Sequence, residues 1–206
     1  CNNLAQQVAE EDTMLFYKRT QEKNMILGEA IALRAYMHFD LLRMFAPAYQ
    51  DNEDRIAIPY VETYERVRYP HLPAKEIMEK VLKDLNEAEK ILEASDDPIL
   101  KEVICTYSGK NDFMANRQYR FNYWAVNALK ARVYLYMGDV ENANHYAMKV
   151  IEESPFTWVS ETDVTSGDRI FMLELICGLN VPKLANYYET YFTSEKYSLS
   201  DGWGVY

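Results

Sequence analysis

The chain has 206 residues, 49% hydrophobic and 26% charged, which is typical of a globular protein large enough to bury its own core. Its formal net charge of −10 argues against nucleic acid as a partner, because binding phosphates requires a basic surface. The three cysteines are far apart, and no Cys/His grouping has zinc-ligand spacing. Composition therefore predicts neither a metal site nor a cofactor, and leaves open whether any cysteines pair.

The first regular element is a long helix between positions 21 and 45, where apolar residues recur at intervals of three and four. Two apolar stripes run along it, so we expect a wide buried surface, and Pro47 should end the helix. The stripes are Ile26, Ala30, Leu33, Met37, Leu41 and Phe45, and Leu27, Ile31, Ala35, Phe39 and Leu42. Arg34 lies inside this helix, and we expect a buried, paired cation with Glu29 or Asp40 as its partner.

A long loop at 47–72 follows, with three prolines, four tyrosines and an acidic run at 51–54. Long loops in compact domains are often functional. The acidic run lacks the glycine and the closing glutamate of an EF-hand, so we predict no calcium site there. A second helix should begin after Pro73, with the apolar stripe Ile77, Val81, Leu85, Ala88 and Leu92.

The second half of the chain again has helical periodicity. Residues 99–118 are ambiguous, with a possible short strand at 102–107, whereas 121–137 and 140–153 predict two helices separated by the tight break at Gly138 and Asp139. In the tail, 169–176 is either a strand or the start of a helix, and 182–191 predicts a short aromatic helix.

Residues 124–155 have the spacing of a tetratricopeptide (TPR) repeat, with Ala131, Tyr134, Gly138, Ala143 and Pro155 at the expected intervals. Such repeats pair two antiparallel helices and place small residues where the axes approach most closely. The sequence therefore predicts an all-α fold with long loops and little strand. We expect TPR-like pairs at 21–95 and 121–155, with Ala35 and Ala131 as the small residues at the crossings.

Three segments resemble the SusD-like (RagB/SusD) family. Residues 28–45, GEAIALRAYMHFDLLRMF, resemble its G-E-A-x-x-x-R-A-x-x-x-F-x-L-x-x-x-F signature, and DLNEA at 84–88 resembles its D-L-x-x-A helix. Residues 128–139, ALKARVYLYMGD, match its A-L-x-A-R-x-Y-L-Y-x-G-D segment. The resemblance covers about 20–155, and Ile170-Phe171 corresponds only weakly to a further family motif, E-x-I-F.

This resemblance implies a non-catalytic lipoprotein at the extracellular face of the outer membrane. Such a protein captures oligosaccharide or polysaccharide for a TonB-dependent (SusC-like) transporter. We expect 1–206 to form a single SusD-like helical domain and to be a fragment of a longer chain. Family members carry a lipid-bearing cysteine before a sizeable segment that is absent here. Cys1 is therefore expected to be an ordinary helical cysteine, with the lipid anchor outside this segment.

The residues themselves offer no catalytic motif, because the three histidines are dispersed and no nucleophile elbow is present. Exposed aromatic rings are the best indication of function, since sugar rings stack their apolar faces on aromatic planes. The candidate ligand-binding residues are Tyr64, Tyr69, Trp158, Trp203 and Tyr206. The alternative function is a TPR-type scaffold that binds protein or peptide segments in its groove.

Overall fold

The computed structural model describes residues 1–96, 99–100, 115–167, 171–179, 181 and 183–192. Within these residues the helices are α1 (Asn2–Glu10), α2 (Thr20–Phe45), α3 (Ala74–Ser95), α4 (Tyr123–Met137), α5 (Val140–Glu153), α6 (Glu161–Thr165) and α7 (Leu184–Tyr191). Short 3-10 turns occur at Thr13–Leu15 and Arg117–Tyr119. Two strands, β1 (Ile56–Pro59) and β2 (His71–Pro73), pair antiparallel within the long loop. The prediction of an all-α fold with TPR-like helix pairs, long loops and little strand is confirmed.

The helices pack as two successive pairs. Helix α2 packs along α3, α4 packs along α5, and α3 joins the pairs by contacting α4, while α1 covers part of α2. The helices of the first pair approach closely at Gly28, where an added Cβ would lie 2.7 Å from Leu92 Cγ. Ala35 is fully buried as predicted, whereas Ala131 is partly exposed.

Only one of the two predicted stripes of α2 is buried. Ile31, Ala35, Phe39 and Leu42 are each at most 4% exposed and form the core with α3. The other stripe was predicted wrongly at four positions that are 37% to 72% exposed, namely Leu33, Met37, Leu41 and Phe45. Periodicity shows which residues share a helix face, but the neighbouring elements decide which face is covered.

The predicted stripe of α3 is confirmed throughout, since all five of its members are fully buried. In α5, Ala143 and Val150 are buried, whereas Ile151 is 55% exposed. The break between α4 and α5 also follows prediction: Gly138 has φ 85°, and the Asp139 side chain caps α5 by accepting from the amide of Asn142.

The described part of 169–176 is neither a strand nor the start of a helix. The side-chain amide of Gln118 donates through Nε2 to the backbone carbonyls of Met172 and Leu175 at 2.9 and 2.8 Å. These contacts hold 172–175 as turns against the segment before α4, which local sequence could not indicate. The predicted aromatic helix exists as α7, whereas the ambiguous segment 102–107, Cys105 and Ile170 lie outside the described residues.

Glu29, the acidic residue of the G-E-A motif, ties α2 to the segment that precedes α4. Its carboxylate pairs with Arg117, and its Oε2 lies 2.7 Å from Nη2 of Arg120. Arg117 is fully buried and also binds Asp96 through Nε at 2.7 Å and Nη2 at 3.0 Å. Asp96 follows the end of α3, so this buried network fixes the two helix pairs relative to each other.

Candidate functional site

Arg34 and Asp84 form a buried ion pair beneath the loop that contains the tyrosine candidates. Arg34 Nε lies 2.6 Å from Asp84 Oδ2, and Nη2 lies 2.7 Å from Oδ1. Arg34 is thus a paired structural cation as predicted, but its partner lies on α3 and is neither Glu29 nor Asp40. The Tyr60 hydroxyl donates to Asp84 Oδ2 at 2.6 Å, and burial together with this carboxylate raises the pKa of Tyr60 well above its usual value.

The residues after β1 are held by three helices. From α1, the side-chain amide of Asn2 donates to the backbone carbonyl of Val61 at 2.8 Å. From α2, the His38 ring accepts from the amide of Val61 at 3.0 Å. From α3, Lys80 pairs with Glu62 at 2.7 Å. This docked segment, residues 60–63, therefore sets the position of the loop that follows it.

Tyr64 and Tyr69 lie in that loop but differ in their surroundings. Tyr64 is 67% exposed, so its ring faces solvent. The Tyr69 hydroxyl is hydrogen-bonded to the Thr63 side chain and accepts from the Thr63 amide at 3.3 Å. Of the two candidates, Tyr64 has the ring surface that a sugar needs, whereas Tyr69 shapes the loop.

Trp158 is 77% exposed and stands beside a cavity of about 170 Å³. The backbone on each side of it is fixed: the Thr157 amide donates to the carbonyl of Leu173 at 3.2 Å, and the Val159 amide donates to Glu174 Oε1 at 2.8 Å. The cavity is lined by Val150, Ile151, Ser154, Phe156, Thr157, Trp158, Glu174 and Ile176. None of these lining residues belongs to the loop of Tyr64, so the structure does not bring the two rings to one cavity.

The remaining candidates, Trp203 and Tyr206, lie outside the described residues. A group of exposed rings that was not predicted from the sequence lies on α7 and just beyond it. Tyr187, Tyr188, Tyr191 and Phe192 are each at least 50% exposed, and the Tyr188 and Phe192 rings are nearly parallel, with centroids 6.2 Å apart. Their spacing of four along a helix was the available signal, because side chains four apart lie side by side.

The described residues contain no cluster of side chains that could hold a metal ion. No three His, Cys, Asp or Glu side chains come together there as metal ligands. In the acidic run of the long loop, Glu53 lies 3.5 Å from the ammonium of Lys75. No helix in the described part of the chain is both long and apolar enough to cross a bilayer.

A wide groove of about 740 Å³ runs along the outer face of α3. Acidic and basic side chains alternate on it, and Tyr134 closes one side; the lining residues are Glu79, Leu82, Lys83, Asn86, Glu87, Lys90, Ile91 and Tyr134.

Residues 10–135, more than half of the chain, match a SusD-like family described as starch-binding and associating with the outer membrane. A SusD-like protein of Formosa agariphila is 27% identical over 133 residues, which cover 64% of this chain and 21% of that protein.

Solved structures share the fold of this chain. A SusD superfamily protein from Bacteroides thetaiotaomicron has a TM-score of 0.62 at 24% identity, covering 79% of this chain and 32% of its own. A SusD-like carbohydrate binding protein from Bacteroides vulgatus has a TM-score of 0.58 at 18% identity, covering 81% and 31%. The chain thus spans about a fifth of the length of the curated relative and about a third of each solved structure. The chain therefore belongs to the SusD-like family.

Proposed function

We propose that this chain captures oligosaccharide or polysaccharide at the extracellular face of the outer membrane, without altering it chemically. It would pass the bound glycan to a TonB-dependent (SusC-like) transporter. Membership of a starch-binding family supports the ligand class. Apart from Phe45, the Phe, Tyr and Trp rings of α2–α5 are buried or partly buried, so the connections and α7 are left to supply exposed ring faces.

The exposed ring of Trp158 is the single observation that best supports this proposal. Its ring is 77% exposed on a backbone held at both neighbouring residues, and a carboxylate, Glu174, borders the adjacent cavity. An exposed ring next to polar hydrogen-bonding groups suits a sugar, which has apolar faces and hydroxyl edges. Tyr64 is a second exposed ring of the same kind, on another loop.

Individual stacking contacts are weak, so we expect dissociation constants from about 1 µM to about 1 mM for free oligosaccharides. Such affinity suits import, because a captured sugar must be released to the transporter.

The test is titration calorimetry or affinity electrophoresis of the full-length protein against a panel of neutral polysaccharides. Trp158→Ala and Tyr64→Ala should each weaken binding, whereas Tyr17→Ala, which removes an 86% exposed ring from another part of the surface, should not. If the protein binds none of the glycans, or if all three variants bind as the wild type does, the proposed site is wrong.

The scaffold alternative rests on the groove along α3. It predicts that a peptide binds the protein and that Lys83→Ala and Lys90→Ala weaken this binding, because both lysines line the groove. If the protein binds no glycan and binds a peptide in this way, the scaffold function replaces the glycan proposal.

For the transporter, we expect a TonB-dependent barrel to co-purify with the tagged full-length protein from outer membranes.

A further inference from the structure

Both ring nitrogens of His38 are used by backbone groups. The Val61 amide donates to Nε2 at 3.0 Å, and Nδ1 lies 2.8 Å from the carbonyl of Arg34. Because an amide can only donate, Nε2 must carry no proton, and Nδ1 must carry the proton that it donates to Arg34. This arrangement requires a neutral imidazole, since a second proton on Nε2 would face the N–H of Val61.

The surroundings of His38 disfavour that second proton. The ring is 9% exposed and stacks on Tyr60, with centroids 4.0 Å apart. Burial lowers the pKa of His38, and the Arg34 guanidinium lowers it further, while Asp84, Glu62 and the hydrogen bond to the Arg34 carbonyl act in the opposite direction.

We propose that His38 is a pH-sensitive latch for the docked segment, residues 60–63: neutral His38 holds it on α2, and protonation of Nε2 releases it. The step adds one proton to Nε2 and breaks the hydrogen bond from the Val61 amide. The protonated Nε2 is then a hydrogen-bond donor, and water accepts this hydrogen bond once the segment has moved away.

His38 is the contact of this segment that responds to mild acid. The other described partners that face it are Asn2 on α1, Arg34 on α2, Lys80 and Asp84 on α3, and Tyr69 in the loop, whose hydroxyl does not ionise in mild acid. An amide does not titrate, and arginine, lysine and carboxylate side chains ordinarily keep their charge between pH 5 and 7, where histidine changes its own. Mild acid therefore removes one specific hydrogen bond while the ion pairs around it persist.

Release has a consequence for Tyr64, which directly follows the docked segment. Its ring would lose the fixed position that residues 60–63 provide, so any glycan contact through Tyr64 should weaken in acid. This consequence rests on the proposed function, whereas the release itself does not and can be measured without a ligand.

The experiment is NMR hydrogen exchange of the Val61 amide in the full chain at pH 7.5 and pH 5, corrected for the intrinsic pH dependence of exchange. We expect protection to fall at pH 5, by at most about tenfold for each pKa unit by which His38 is lowered in the docked state. His38→Gln, which cannot become charged, should abolish this pH response. His71→Gln is the matched control, because His71 is exposed on the neighbouring strand β2 and should leave the response unchanged.

Unchanged protection of Val61 in the wild type between the two pH values would overturn the latch, whatever the variants do. So would a His38→Gln protein that folds and loses protection in acid as the wild type does. Glycan titrations at both pH values separate the two proposals: pH-dependent protection in a protein that binds no glycan would support the latch and refute only the function.

Discussion

The Arg34 guanidinium binds both oxygens of the Asp84 carboxylate, and the two residues are 50 positions apart in the chain. The pair joins the middle of α2 to the middle of α3 and also orients Tyr60. It connects the R-A motif of one helix to the D-L-x-x-A motif of the other, so two short sequence signatures meet in one contact.

Breaking this pair should destabilise the protein strongly. In Asp84→Ala, Arg34 keeps its charge in a site where its side chain is 13% exposed, and the free energy of unfolding should fall by about 3–5 kcal/mol. Urea unfolding followed by circular dichroism measures the change. The control is Asp40→Ala, which breaks the more exposed pair with Arg43 on the same helix and should cost about 1 kcal/mol or less. Equal losses in the two variants would contradict this account.

Gly28→Ala should destabilise although alanine favours helix. The added Cβ would meet Leu92 at 2.7 Å and 2.9 Å, and Leu92 is fully buried, so the α2–α3 contact must open. We expect a loss of about 1–3 kcal/mol from overpacking, measured as a lower melting temperature. In a Leu92→Ala background, where the clashing side chain is gone, Gly28→Ala should lower the melting temperature by less than it does in the wild type. An unchanged or higher melting temperature in Gly28→Ala would show that the helices are not this close.

Much of the fold follows from periodicity, but the contacts between helices do not. The stripe of α3 is right at every position because this helix has one apolar face. Helix α2 has two, and its residues could not show that Phe39 would be covered while Met37 would not. The partner of Arg34 was missed for a related reason: Glu29 and Asp40 are near in sequence, but Asp84 approaches only when α3 packs on α2. Exposed Trp158 and Tyr64 were identified because their segments lack helical periodicity.

Acid should weaken the junction of α3 with the second helix pair through Glu89. Burial opposes ionisation of this carboxyl, but Lys130 and Lys149, at 2.6 and 2.8 Å, hold its pKa below the usual value. A lowered native pKa means that this stability is complete above about pH 4.5, the unfolded value, and is lost as pH falls through the native one. Glu89→Gln should therefore flatten the pH dependence of unfolding below pH 5, while Glu87→Gln at an exposed position should not.

The cysteines at positions 1 and 177 should differ in reactivity. Burial raises the pKa of Cys177 to about 11, and only the thiolate reacts with iodoacetamide. Cys1 is exposed, so at pH 8 in the native protein we expect Cys1 to be alkylated much sooner. Peptide mass spectrometry over a time course measures both sites, and denaturation should make their rates similar. Equal native rates would mean that Cys177 is not shielded as the structure shows.

The fixed backbone around Trp158 has a kinetic consequence. Since the backbone amides of Thr157 and Val159 are hydrogen-bonded without a sugar, the backbone that carries the ring needs little ordering when a ligand arrives. Association should then proceed without a slow conformational step, and weak affinity would appear as rapid dissociation. At such a ring, the proposed polysaccharide ligand would be able to slide from one sugar unit to the next without leaving the protein.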